Sequence, residues 1–150
     1  MEYYNKIAKS YNELHKQEQL EKIRIIKQHI KPKGLLLDIG AGTGISTKEF
    51  EDTCECIALD PAEKMLKQYN GKKVLAKAEL IPFPDNTFDT IISVTALHHT
   101  NINQALKEIK RVAKPNAQIA ITILNKSNIK IKTYKKKIES EKDTIYILEL

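Results

Sequence analysis

Residues 35–44 read Leu-Leu-Leu-Asp-Ile-Gly-Ala-Gly-Thr-Gly, and this run constrains the fold more than any other part of the chain. Three apolar residues lead into Asp38, and Gly40, Gly42 and Gly44 follow at alternate positions. A short apolar run bounded by Gly34 and Gly40 has the pattern of a strand buried on both faces of a parallel sheet. The glycines let the chain turn sharply and bring bare backbone against a ligand, where a Cβ would obstruct. A strand ending in such a loop before a helix places a nucleotide site at the carboxyl edge of an α/β sheet.

The spacing narrows the ligand. A dinucleotide fingerprint starting at Gly40 and Gly42 needs a third glycine at 45, where the chain has Ile45. A phosphate loop starting at Gly40 needs glycine at 45 and lysine at 46, and Ile45 and Ser46 stand there. Asp38, beside the loop, repels a pyrophosphate and favours an ammonium or a sulfonium. The loop therefore fits a nucleoside without phosphates. A ribose there needs a carboxylate at the end of the next strand, where two oxygens can accept from both hydroxyls. Asp60 occupies that place, and it also suits the N-cap of the helix behind it.

The rest of the chain alternates strand and helix. Residues 2–31 read as a helix, with Tyr3, Ile7, Tyr11 and Leu14, then Leu20, Ile23, Ile26 and Ile30, on an apolar stripe. Strands are expected over 35–39, 55–60, 73–78, 88–94 and 118–124, and helices over 44–52, 62–69 and 101–113. This order implies an α/β fold with a doubly wound, mostly parallel sheet. The tail is ambiguous, since residues 129–134 alternate like a strand while Ile131, Tyr134 and Ile138 share a helical face. Residues 144–150 form a strand by composition, expected at one edge of the sheet. The expected organisation is one domain over 1–150, with a helical cap over 1–31, a core over 32–124 and a basic tail with an edge strand over 125–150.

Composition agrees with an ordinary globular protein, at 41% hydrophobic and 29% charged residues. No apolar run approaches the roughly 20 residues of a membrane span, and the N-terminus has no signal-peptide pattern, so the expected compartment is the cytoplasm. Cys54 and Cys56 form a lone C-x-C with no second pair to complete a zinc site, and no metal is expected. The net charge of +6 is concentrated in residues 125–143, which carry seven lysines against three acids. That tail is either a contact for RNA or another polyanion, or a solvated face.

Four motifs in order, LLLDIGAGTG (35–44), ALDPAEKML (58–66), LIPFPDNTFDTIISVTALHH (80–99) and LKEIKRVAKPNAQIAI (106–121), resemble the class I S-adenosylmethionine-dependent methyltransferases that include the ubiquinone and menaquinone biosynthesis enzymes. The resemblance covers most of residues 4–124 and implies a Rossmann-like methyltransferase fold. It implies that Asp38, Gly40, Ala41 and Gly42, in the loop closed by Gly44, hold the methionine part of the cofactor. By the same resemblance Asp60 holds the ribose, Pro61 and Met65 border the adenine, and Ala78 offers it backbone polar groups. Val94 and Thr95 would lie near the methyl, and Tyr11 would belong to a helix that caps the cofactor. The product would be S-adenosylhomocysteine.

Three positions depart from the family pattern. Lys77 stands where an acid usually receives the adenine amino group, and a lysine cannot accept that hydrogen bond. Recognition there is left to backbone, to Glu79 or to shape. Asn116-Ala117 replaces Gly-Gly before the fifth expected strand, a change that Asn tolerates in a left-handed turn. Only 26 residues follow Leu124, fewer than a last helix and a two-strand hairpin comfortably require. The substrate side is then expected to be open, or completed by a protein partner or a second copy of the chain.

Methyl transfer asks the protein mainly to place a nucleophile and exclude water, with a general base only if the acceptor must lose a proton. His98 and His99, just past the fourth expected strand, are the candidate bases. The fourth strand ends Ser93-Val94-Thr95-Ala96, without the N-P-P-Y pattern of amino-group methyltransferases. Three functions follow: methylation of a small molecule, methylation of RNA reached through the basic tail, or a cofactor-binding subunit completed by another protein.

Overall fold

The apolar run after Gly34 becomes β1 (Leu35–Ile39), which pairs in parallel on both sides, with β2 (Glu55–Asp60) and with β4 (Phe88–Val94). The computed structural model describes residues 2–149, with side chains from residue 12 onward. β3 (Lys72–Leu75) adds in parallel to β2, and β5 (Ala113–Leu124) adds in parallel to β4. Two antiparallel strands follow: β7 (Asp143–Leu148) pairs with β5, and β6 (Lys136–Glu139) pairs with β7 from outside. The order is β3-β2-β1-β4-β5-β7-β6, so the winding reverses between β1 and β4. A crevice at the carboxyl ends of strands flanking such a reversal is where α/β sheets bind ligands.

Alternation along the strands divides the core. Leu37, Ile39, Ile91, Ile119, Ile121 and Tyr146 face one layer with Ala105, Ile109 and Val112 of α4 (Ile102–Val112). Leu36, Ile92, Ala120, Ile145 and Ile147 face the other, against Ile23, Ile26 and Ile30 and against Phe50. The first three of these come from α1 (Glu2–His29) and the residue just beyond it. The helix stops where Pro32 pushes Lys31 out of the helical region, after Lys27 and His29 have placed basic groups at its negative end. No described helix is long and apolar enough to cross a membrane. Cys54 and Cys56 are free thiols on the α1 side, and burial pushes Cys56 up to about 12.

Several expected boundaries move. The helix expected over 44–52 is only α2 (Ile45–Lys48), after which Glu49, Phe50, Glu51 and Thr53 donate three residues back in tight turns. Glu49, Glu51 and Asp52 would load the negative end of a longer helix with like charge, and the turns drop Phe50 into the core instead. The helix expected over 62–69 is α3 (Glu63–Leu66), and Tyr69 turns inward behind it to full burial. β3 starts one residue early and ends at Leu75, and β5 starts at Ala113. Asn116 takes a left-handed φ of 67° within β5, beside an irregular register with β4. Leu14, placed on the apolar stripe by its spacing, is 59% exposed. The expectations for Tyr3, Ile7 and Tyr11 concern side chains outside the described residues.

The tail resolves its ambiguity in a third way. Residues 128–135 form neither a helix nor a strand but an extended strap against α4, with Ile131 buried and Ile129 packed on the same cluster. The hairpin that 26 residues were not expected to complete is present, and the helix before it is what has been given up. Residues 143–148 are consequently an interior strand, with β6 taking the edge. If Ile131 anchors the strap, Ile131→Ala should cost roughly 2–5 kcal/mol, read as a fall in the urea midpoint. A change under about 0.5 kcal/mol, the range of surface substitutions, would mean that the strap is not part of the core.

Candidate active site

A cleft of about 1240 Å³ opens at the carboxyl edge where β1 and β4 diverge. The glycine loop, the end of β2, residues 77–79, residues 94–100 and one side of α1 line it. Of the residues singled out from sequence, Gly40, Ala41, Gly42, Asp60, Pro61, Met65, Ala78, Glu79, Val94, Thr95, His98 and His99 meet there. Asp38 and Gly44 do not reach the lining, and Tyr11 has no described side chain.

The loop is closed on itself. Gly40 and Ala41 donate their N–H groups to the Leu59 carbonyl at 2.8 and 3.0 Å, and Gly44 donates to the Ala41 carbonyl at 2.9 Å. The Gly42 N–H goes to Asp60 Oδ2 at 2.9 Å, and Asp60 Oδ1 accepts the Ala62 N–H at 2.8 Å. Four amides that a phosphate would need are therefore already used. Asp60 is tied to two backbone donors, yet each carboxylate oxygen keeps a lone pair for a hydroxyl. The glycines divide their work: at Gly40 an added Cβ would lie 2.1 Å from that of Ala96, whereas at Gly42 the nearest atom would be Met65 Cε at 3.4 Å. Only at Gly42, with φ 57°, is the missing side chain an opening toward the cleft.

Asp38 sits behind the loop, 1% exposed, with Oδ2 accepting from Thr47 Oγ1 at 2.8 Å. Its Oδ1 has no partner among the described residues, and burial, only partly offset by Thr47 and reinforced by the nearby Asp60, raises the carboxyl to about 7. A carboxylate under that strain is relieved by a cation in the loop's concavity, the electrostatic reverse of a phosphate site.

Behind the lining residues 77–79, α4 holds the loop that leads to β4. Arg111 donates to the carbonyls of Ile81 and Phe83 and to Asp85 and Glu108, while Glu108 Oε1 accepts from the Ile81 N–H at 3.0 Å. This hub fixes the proline loop and, behind it, Lys77, Ala78 and Glu79. Lys77 is exposed at the rim. Glu79 Oε2 accepts from the Asn101 N–H at 3.2 Å, which leaves it one oxygen for the cleft.

Thr95 leaves β4 at a left-handed φ of 56°, and the short 3-10 turn Leu97–His99 follows it along the cleft. The His98 and His99 rings lie 4.2 Å apart at 54°. His98 Nδ1 is buried without a partner among the described residues, and burial, reinforced by His99, holds its imidazole below the ordinary value. Both effects favour the neutral imidazole, the form a proton acceptor must have. Periodicity did not reveal Asn12, Glu13, His15, Lys16 and Gln19, which α1 contributes to the lining, because a polar helix face over a cleft has the same pattern as one facing water.

A family described as a methyltransferase domain matches residues 37–121. The uncharacterized protein MJ1252 of Methanocaldococcus jannaschii is 38% identical over 86% of this chain and 53% of its own length. The ubiquinone/menaquinone biosynthesis C-methyltransferase UbiE of Burkholderia mallei is 34% identical over 68% of this chain and 48% of its own. The chain thus spans about half the length of these relatives. In fold it is similar to a Methanococcus maripaludis protein described as a candidate S-adenosyl-L-methionine-dependent methyltransferase, with a TM-score of 0.76 at 18% identity over 95% of this chain and 91% of that one.

Asp38 carries a pH signature. Its folded pKa of about 7 lies above the ordinary aspartate value of 3.8, so its contribution to stability is fully present below pH 4 and is lost as pH rises through 7. The urea midpoint of the native chain should carry that downward slope, and Asp38→Asn should remove it; equal slopes would show that Asp38 is not held protonated by the fold.

Proposed function

The chain belongs to the methyltransferase-domain family, and from that premise we propose that it transfers a methyl group from S-adenosylmethionine to a small-molecule acceptor, leaving S-adenosylhomocysteine. One observation carries this: the amides of the glycine loop are spent internally, while carboxylates stand behind the loop and at the end of β2. A site with used donors and waiting acceptors suits a cationic, phosphate-free nucleoside. The residues fit the cofactor, with Gly42 open to it, Asp60 able to accept from the ribose hydroxyls, and Asp38 favouring its positive end. Pro61 and Met65 would flank the adenine, and Ala78, with the free oxygen of Glu79, would meet its edge in place of the acid that Lys77 replaces.

Bound there, S-adenosylmethionine supplies a methyl on a sulfonium that leaves with its bonding electron pair. Val94 and Thr95 would border the transferred methyl. His98 lines the cleft with its imidazole held below the ordinary value, and would take a proton from the acceptor as it attacks. α1 lines one side of the cleft with Asn12, Lys16 and Gln19. UbiE, whose name describes a C-methyltransferase of quinone biosynthesis, supports a small acceptor over an RNA.

The test is labelled-methyl transfer from S-adenosylmethionine into fractionated extract, with counts expected in small metabolites. Label in RNA would support entry through the exposed lysines of residues 130–137. Absence of label with binding intact would leave a cofactor-binding subunit that needs a partner. Gly42→Asn places a side chain tolerant of the left-handed region into the opening and should abolish stabilisation by S-adenosylhomocysteine in a folded protein. His98→Gln should lower the rate on the order of 10²-fold or more while leaving cofactor affinity unchanged; an unchanged rate would remove His98 from the chemistry. Affinity for S-adenosylhomocysteine should rise with pH through about 7 as Asp38 ionises, and the rise should vanish in Asp38→Asn.

A further inference from the structure

Lys22 is partly buried where the cap helix crosses the carboxyl edge of the sheet. The Lys22 side chain is 14% exposed, and its ammonium meets three acceptors: Thr95 Oγ1 at 2.9 Å, Asp143 Oδ2 at 3.1 Å and Gln19 Oε1 at 3.4 Å. Three protons have three partners. Thr95 is equally filled. Its hydroxyl lies 2.8 Å from Thr122 Oγ1 and donates to Asp143 Oδ1 at 3.4 Å, so Lys22 and Thr122 occupy its two lone pairs. Gln19, one turn before Lys22, also donates to the Val94 carbonyl at 3.4 Å. The first helix, the ends of β4 and β5 and the start of β7 thus meet on one cation.

The network is centred on a conformation that β-branched residues avoid, the left-handed Thr95. That turn presses Ala96 into the space left by Gly40 and sets the course of His98 and His99 along the cleft. Ion-pair stability does not explain the arrangement, because apolar residues of similar volume usually serve a buried position as well or better. What an apolar pair cannot do is saturate the Thr95 hydroxyl and hold the turn.

We propose that Lys22 is a positioning residue for the methyl-transfer end of the cleft: seated between Asp143 and Thr95, it clamps the cap helix and the last strand onto the turn that carries Ala96, His98 and His99. The clamp rests on the proposed function for its role in the reaction, but its geometry does not depend on it.

Lys22→Met alone would leave Asp143 buried without a counter-ion and risks unfolding. The informative variant is therefore the double change Lys22→Met with Asp143→Leu, with Lys22→Arg as the conservative rescue. The double variant should melt cooperatively near the native temperature. It should bind S-adenosylhomocysteine on the order of tenfold more weakly, the equivalent of about 1.4 kcal/mol, with Lys22→Arg restoring most of the loss. In ligand-free protein the ring-proton resonances of His98 and His99 should move, because the wall that carries them is released. Unmoved resonances, or native affinity in the folded double variant, would overturn the proposal. Should the native chain not bind S-adenosylhomocysteine, the proposed function falls, and the histidine resonances still decide for or against Lys22.

Discussion

The end of β2 holds the site together. Leu59 offers its carbonyl to two amides of the glycine loop, and Asp60 takes one amide from that loop and one from the start of the next helix. Neutral hydrogen bonds of this kind contribute about 0.5–1.5 kcal/mol each, and those to a carboxylate more. Their larger effect is on what remains available. A loop that has given its N–H groups to its own neighbour cannot cradle phosphate, and a carboxylate anchored by two backbone donors presents its remaining lone pairs in a fixed direction. Ligand class is decided here before any side chain of the acceptor site is considered.

Asp38 extends the same logic through electrostatics. It is buried against Thr47 with one oxygen unpaired, and Asp60 adds a like charge nearby. A cation bound in the loop would therefore favour the ionised form of Asp38. Binding and protonation compete for one carboxyl, which links the cofactor preference of the cleft to pH.

The parts of this molecule legible in the sequence are those where one residue type has one physical use. β1 and β4 have the boundaries their apolar runs indicate, and Gly42 and Asp60, marked by the loop and strand pattern, meet in the cleft with Ala78 and Val94, which the family resemblance implies. The expected helices over 44–52 and 62–69 are cut short because Phe50 and Tyr69 have better places in the core than on a continuing helix face, a tertiary preference that periodicity does not contain. The α1 contribution to the cleft was hidden for a related reason, since Gln19 and Lys22 look like solvent-facing residues until the sheet edge lies beneath them. Lys22 and Asp143 are far apart in sequence, and nothing local to either marks the other as its partner.

Chain direction explains why those two meet. β7 runs antiparallel to β5 and starts where β5 ends, with Asp143 opposite Leu124. The first residue of β7 is therefore delivered to the carboxyl edge, the same edge that α1 crosses on its way to Ile23 and Ile26 in the layer below. A parallel final strand would have started at the far edge and brought its leading carboxylate nowhere near Thr95. The strap over 128–135 makes this possible at low cost in length, because an extended segment rises more than twice as far per residue as a helix. Replacing a crossover helix by a strap thus preserves the one part of the C-terminal region that the cleft requires, an antiparallel strand whose first side chain reaches the cap helix.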